Sequence, residues 1–296
     1  MRWYDLDQCA DVKQFLSEHD VQGVMGVECP MPSREILTGD TTPVSPAEHK
    51  WYRSVVGTMN WYAVATRWDI AHAMSRLGGY MHAPTRGAIK AAKRVMQYLK
   101  ATEDFKISCV VGAGNVWERY VDSDHAGDRE YTPQGGEDHN GTRSHTGVVI
   151  TLNGMPVVWR SNKQPVTAVS SAVAEIYALA EAVRDSKLAA YRMEELGREM
   201  VWPLEIQVDN AAGVSFQKAT CPDTRLKGTF DLRAWWVKEL QDQTKVLAVK
   251  VGTRDNVADL LTKCHSEKEF KRIRDIVRSR GQQLASRFIQ GGTVTI

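Results

Sequence analysis

The chain has 296 residues, 43% of them hydrophobic and 25% charged, with a formal net charge of +2. That length supports a sizeable core and points to two domains, while the near balance of charge means that any basic partner surface has to be local. The five cysteines (Cys9, Cys29, Cys109, Cys221 and Cys264) are odd in number and scattered without a Cys-x-x-Cys pair, which excludes a disulfide framework and a zinc site of familiar spacing and implies a reducing compartment.

The first hundred or so residues read as helices. "QCADVKQFLSEH" is short and amphipathic, and residues 20 to 45 form a loop rich in Gly, Pro, Thr and Ser. A helix then starts with Ser45 as N-cap and Pro46 at its first position. "RWDIAHAMSRLGGYM" gives another, ended by Gly78 and Gly79. In "PTRGAIKAAKRVMQYLKAT", Ala88, Ala92, Val95 and Leu99 fall on one face and Arg86, Lys90, Lys93, Gln97 and Lys100 on another. From about residue 106 the period changes to two. "FKISCVV" and "VWERYVD" read as strands, followed by a polar stretch from 127 to 144 without apolar anchors. Asn153-Gly154 is a favoured two-residue turn between two β-rich runs. "PVTAVSS" reads as a short strand. A long helix follows, capped by Ser170 or Ser171 and stopped at Gly197. "PLEIQVDN" is a strand, "AAGVSFQKA" helical, "DLRAWWVKELQ" a helix, "VLAVKVGT" a strand and "NVADLLTK" a short helix; a basic helix near 266 to 280 closes the chain. The second half therefore alternates a hairpin with crossover helices, which implies one mixed sheet covered by helices, an α/β fold. No apolar run approaches the roughly 18 residues that cross a bilayer, and the mixed N-terminus is unlike a targeting peptide. A cytoplasmic or nuclear location and no membrane partner are expected.

Four acids of this half sit at element ends or first turns: Asp122, Glu175, Asp209 and Asp259. Each alone also reads as a turn former, a charge near a helix N-terminus or a surface acid. As an ordered set they suit Mg²⁺, which takes a few carboxylates and keeps several waters. Two such ions about 4 Å apart support phosphodiester cleavage.

The motifs "DSDHAGD", "SHTG", "WRSNKQP", "SSAVAEIYALAEA", "VDNAAG" and "VADLLTK" stand in this order. Together they resemble the C-terminal part of the Pol polyprotein of copia-type LTR retrotransposons, over most of residues 46 to 265. The resemblance implies a ribonuclease H-like mixed five-stranded sheet with flanking helices over 106 to 265. A small helical thumb/connection region of the reverse transcriptase is implied over 1 to 105, with a basic helix and polar tail over 266 to 296. It implies that Asp122, Glu175, Asp209 and Asp259 hold two Mg²⁺ (or Mn²⁺) ions and hydrolyse the RNA strand of an RNA/DNA hybrid, endonucleolytically. Lys163, Gln164, Ser170, Asn210 and Arg225 are polar candidates for nucleic-acid contact. The helix face of Arg86, Lys90, Lys93 and Lys100 suits phosphates. Trp51, Trp61, Tyr62 and Tyr80 read as core. The rest of a Pol polyprotein is the implied partner. Since 1 to 119 read as thumb helices, the polymerase palm is absent and no DNA synthesis is expected from this chain alone.

Departures from the family pattern accompany the match. His125 stands where the family has Trp, and reads as a packing substitution. The stretch 127 to 144 is longer than the family norm. No His lies between Asp209 and Asp259, so the mobile His that helps product leave is missing unless His265 replaces it, and slower turnover follows. The alternative is a truncated transposon remnant that binds nucleic acid without turning over. A transposase or integrase core shares the fold but normally uses three acids.

Overall fold

A computed structural model of the chain describes residues 2–21, 24–111, 115–125, 143–165, 167–210, 214 and 232–289. It divides into two compact units: Met1–Gly114 with Asn153–Met155 and Cys264–Ile296, and Asn115–Leu152 with Pro156–Lys263.

The first unit opens with a strand, β1 (Arg2–Asp7), followed by α1 (Cys9–Glu18) and a short α2 (Glu35–Thr38). The helix α3 (Pro46–Ala65) begins where expected. The Ser45 hydroxyl accepts from the Glu48 N–H at 3.3 Å, and the Glu48 carboxylate accepts from the Ser45 N–H at 2.8 Å, so both orphan donors of the first turn are satisfied. Residues Trp68–Ile70 make a 3-10 turn into α4 (Ala71–Gly78), and α5 (Arg86–Ala101) follows. Its predicted inner face, Ala88, Ala92, Val95 and Leu99, is fully buried. The strand β2 (Lys106–Val111) pairs antiparallel with β1. The period-two pattern expects it in the following domain; its ladder partner is instead the N-terminal segment "RWYDLD".

In the second unit β3 (Trp117–Asp124), β4 (His145–Leu152) and β5 (Met155–Lys163) lead into α6 (Ser171–Glu195), β6 (Leu204–Val208), α7 (Leu232–Asp242) and β7 (Val246–Lys250). The five strands form one sheet in the order β5-β4-β3-β6-β7. β3 is antiparallel to β4 and parallel to β6, and β6 is parallel to β7. This is the expected mixed five-stranded sheet with flanking helices. Asn153 and Gly154, both at positive φ (52° and 80°), turn β4 into β5, as the Asn-Gly pair predicts. The crossover helix α6 is capped by Ser170, whose hydroxyl accepts from Val173 N–H at 3.3 Å, and Gly197 beyond its end takes φ 70°. One face of the sheet and α6 share a core of Val121, Val148, Ile150, Ile206, Leu179 and Val183. The segment "PVTAVSS" makes no strand among its described residues. Its end is taken by the α6 cap. The predicted helix "AAGVSFQKA" and most of the polar stretch 127 to 144 lie outside the described residues.

The last helix, α8 (Glu267–Ile289), belongs to the first unit. Arg274 on α8 donates to the Tyr98 hydroxyl at 3.0 Å, and that hydroxyl donates to Asp69 at 2.6 Å. Asp69 in turn accepts two bonds from the buried Arg67 guanidinium at 2.9 Å each. Helix α8 is thus tied into the helical unit by a polar chain reaching its core.

Candidate metal centre

The site grows from the register of two parallel strands. Val121 pairs with Val208, so the next residue of β3, Asp122, and the residue after β6, Asp209, emerge side by side at the carboxyl ends. Because strand side chains alternate, Val121 enters the core under α6 while Asp122 faces the other side. Glu175 stands in the first turns of α6, close to its N-terminus. Asp122, Glu175 and Asp209 each offer a carboxylate oxygen, and these atoms lie within 4.8 Å of one another.

The fourth acid comes from a separate segment. Asn256 donates to the Val121 carbonyl at 2.9 Å and accepts from the Ala258 N–H at 3.2 Å, so one buried side chain both fixes and caps the 3-10 turn Val257–Leu261 that bears Asp259. The Thr262 hydroxyl lies 2.5 Å from Asp122 Oδ2 and 3.1 Å from the Asp259 carbonyl. Asp259 is not among the three carboxylates that offer mutually close oxygens; its own Oδ1 is paired with the Lys263 ammonium.

Burial, followed by the nearby charges of Asp259 and Asp209, pushes the Asp122 carboxyl up to about 7, against the pull of Thr262 and Lys263. Burial pushes Glu175 up to about 8, with Asp122 and Asp209 adding to it while hydrogen bonds from Ser123 and Asn210 oppose. Burial lowers the Lys263 ammonium, but pairing with Asp259, with Asp122 and Asp124 nearby, raises it on balance. Buried carboxylates that repel one another favour either a shared proton or a cation. An all-oxygen donor set suits a hard divalent ion such as Mg²⁺ or Mn²⁺, and the three facing carboxylates fit one.

The remaining candidates fall in different places. Asn210 contacts Glu175 and so belongs to the centre. Lys163 ends β5 in an exposed position. Gln164, expected to touch nucleic acid, is buried at 3% exposure; its amide donates to Thr146 Oγ1 at 3.1 Å and to the Ala174 carbonyl at 2.9 Å. It braces α6 against β4 and is corrected to a structural role. Ser170 spends its hydroxyl on the α6 cap. Arg225 lies outside the described residues. On α5, Arg86 and Lys93 are exposed, Lys90 pairs with Asp40 at 3.0 Å, and Lys100 pairs with Glu103 at 2.9 Å. The Lys93 ammonium sits 5.8 Å from the Trp51 ring. His125 hydrogen-bonds the Ala168 carbonyl at 3.2 Å through Nε2, which agrees with a packing role. His265 is buried in the first unit. Of the four aromatics expected in the core, Tyr62 is buried, Trp51 and Tyr80 are half-buried, and Trp61 is exposed at 55%.

Sequence reasoning passed over Asn256, Thr262, Lys263 and Gly147. The string "NVADLLTK" holds the first three, and the spacing of four between Asp259 and Lys263 is a visible pairing signal.

The chain is 28% identical over 229 residues to the retrovirus-related Pol polyprotein from transposon TNT 1-94 of Nicotiana tabacum, covering 76% of this chain and 16% of that protein. It is 30% identical over 240 residues to the corresponding polyprotein from transposon RE2 of Arabidopsis thaliana, covering 81% of this chain and 15% of that one. The chain is related to the copia-type retrotransposon Pol polyproteins. This Pol-related chain spans about a sixth of the length of those relatives. No family model matches it. Among solved structures it is similar to LC11-RNase H1 in complex with RNA/DNA hybrid, at 18% identity and a TM-score of 0.35, covering 52% of this chain and 98% of that one.

Proposed function

We propose that the second unit is a metal-dependent endoribonuclease of ribonuclease H type that hydrolyses the RNA strand of an RNA/DNA hybrid within a copia-type Pol protein. The observation that carries this reading is the convergence of Asp122, Glu175 and Asp209, within 4.8 Å of one another, at the carboxyl ends of two adjacent parallel strands. Ligands of open α/β sheets bind at such ends.

In this reading Asp122, Glu175 and Asp209 hold Mg²⁺ or Mn²⁺, with Asp259 as the fourth ligand for a pair of ions. Bound there, the ions supply Lewis-acid stabilisation and a more acidic water. The protein's own part is positioning. Thr262 orients Asp122, Asn210 and Ser123 orient Glu175, and Asn256 fixes the turn that carries Asp259. Such bracing of ligands typically accounts for 10- to 100-fold in metal affinity or activity, roughly.

Selection of a hybrid needs contacts to ribose 2′-hydroxyls on one strand and to phosphates on the other; Lys163 and Arg225 are proposed for these. The helical unit is proposed as the thumb/connection, with Arg86, Lys90, Lys93 and Lys100 on α5 meeting phosphates. The test is strand choice. Hybrids labelled on either strand, and an RNA duplex, are incubated with the chain and Mg²⁺. Cleavage of the RNA strand of the hybrid alone is expected; cleavage of the DNA strand, or of no strand, would overturn the reading.

A further inference from the structure

Lys263 has no part in the ligand set proposed above, yet its ammonium is bound to one of the four carboxylates. The 3-10 turn ends at Leu261, and the chain then bends so that Lys263 folds back four residues onto Asp259 Oδ1. The Asp259 side chain is 9% exposed, whereas that of Lys263 is 40% exposed. Asp122 and Asp124 also lie within electrostatic reach of this lysine. Meanwhile the other three acids already face one another. The four carboxylates are therefore unequal: three are arranged to receive a cation, and the fourth carries an internal one.

From this arrangement, and resting on the metal-site reading above, we propose that Lys263 is a positioning residue that occupies Asp259 as a resident cation, so that a second divalent ion binds there only by displacing it. The first ion goes to Asp122, Glu175 and Asp209, none of which is paired with Lys263, whose ammonium is held by Asp259. The second has to break the Lys263–Asp259 pair and to approach a fixed positive charge. A flexible four-carbon stem with a half-exposed head is suited to release: the ammonium can swing into water without disturbing the turn, which Asn256 and Thr262 hold independently. The two ion sites then differ in affinity by design, and the weaker one fills only at higher ion concentration.

Mn²⁺ binding to the full chain, followed by the electron paramagnetic resonance signal of the free ion, tests this without any activity readout. Wild type is expected to bind one ion tightly and a second weakly. Lys263→Met is expected to tighten the weaker site roughly fivefold or more, the scale for removing a half-exposed pair and its repulsion of an ion, and to tighten the other site, which Lys263 reaches only through Asp122, by clearly less. Lys263→Arg, which keeps the charge, is expected to retain weak second binding. Two sites whose constants are unchanged in Lys263→Met would overturn the proposal alone. No Mn²⁺ binding by any variant would overturn it together with the metal-site reading. Far-ultraviolet circular dichroism of both variants checks that each is folded.

Discussion

A methyl group at position 147 would lie 2.6 Å from the Ala258 carbonyl oxygen and 2.8 Å from Thr262 Cγ2. Gly147 pairs directly with Asp122 across β3 and β4, so the missing side chain is what lets the Asp259-bearing turn lie against the strand beside Asp122. Gly147→Ala is expected to push that turn away, at a cost of about 1–3 kcal/mol in a urea melt, with a larger relative loss of second-ion binding than of first. The carboxylates also set a pH dependence. Asp122 and Glu175 are raised to about 7 and about 8 from ordinary values of 3.8 and 4.5. The folded chain therefore retains protons that the unfolded chain has already released. Without metal, stability is fullest below the ordinary values and falls as pH rises through the raised ones. Melting temperatures in EDTA are expected to drop from pH 5 to pH 8.5, less steeply in Asp122→Asn, and less steeply for wild type when Mg²⁺ competes with the protons. An equal drop in both proteins would contradict the shift. At this scale the sequence was informative where a residue's chemistry and its place at an element end coincide, as for Asp122, Glu175 and Asp209, whose carboxylate oxygens the fold gathers within 4.8 Å of one another. It was misleading for Gln164, whose polar side chain sits beside the site motifs but is turned inward by two hydrogen bonds that no local pattern announces.

Helix α8 illustrates what element-level patterning conveys and what it omits. Its basic composition and helical character were legible near residues 266 to 280. Its home was not, because Arg274 meets Tyr98 across 176 positions of sequence. The same holds for β2, whose alternation identifies a strand but not its partner β1. By contrast the capping box at Ser45, the Asn153-Gly154 turn and the Gly197 stop were all readable, since each is determined by three or four neighbouring residues. The polar chain under α8 makes a direct prediction. Asp69→Ala leaves the Arg67 guanidinium, 2% exposed, without its carboxylate partner, and is expected to destabilise the helical unit by about 3–5 kcal/mol. Arg274→Ala removes only the outer link and is expected to cost less. Chemical denaturation of the two variants gives the order; a larger effect for Arg274→Ala would contradict the dependence on Asp69.

Across the molecule, the proposed centre draws on four separate stretches of chain: β3, the start of α6, the end of β6 and the 3-10 turn. The order β5-β4-β3-β6-β7 puts β3 in the middle, antiparallel on one side and parallel on the other. That mixed pairing was inferable from a hairpin followed by a crossover helix. It is also what brings Asp122 beside Asp209, which lie 87 residues apart in the sequence but in consecutive register on neighbouring strands. The separations that no pattern fixes are those between Asp259 and the other acids, because a tertiary contact at Gly147 and an internal lysine decide them. The central claim is that these carboxylates form a metal-dependent nuclease site. It is tested most directly by the initial rate of Mg²⁺-dependent RNA-strand cleavage in a labelled RNA/DNA hybrid, measured for wild type, Asp122→Asn and Asp209→Asn. Cleavage by wild type that stops in EDTA and falls by about a hundredfold or more in each variant is the predicted result; cleavage that persists in EDTA, or that both variants retain, would contradict it.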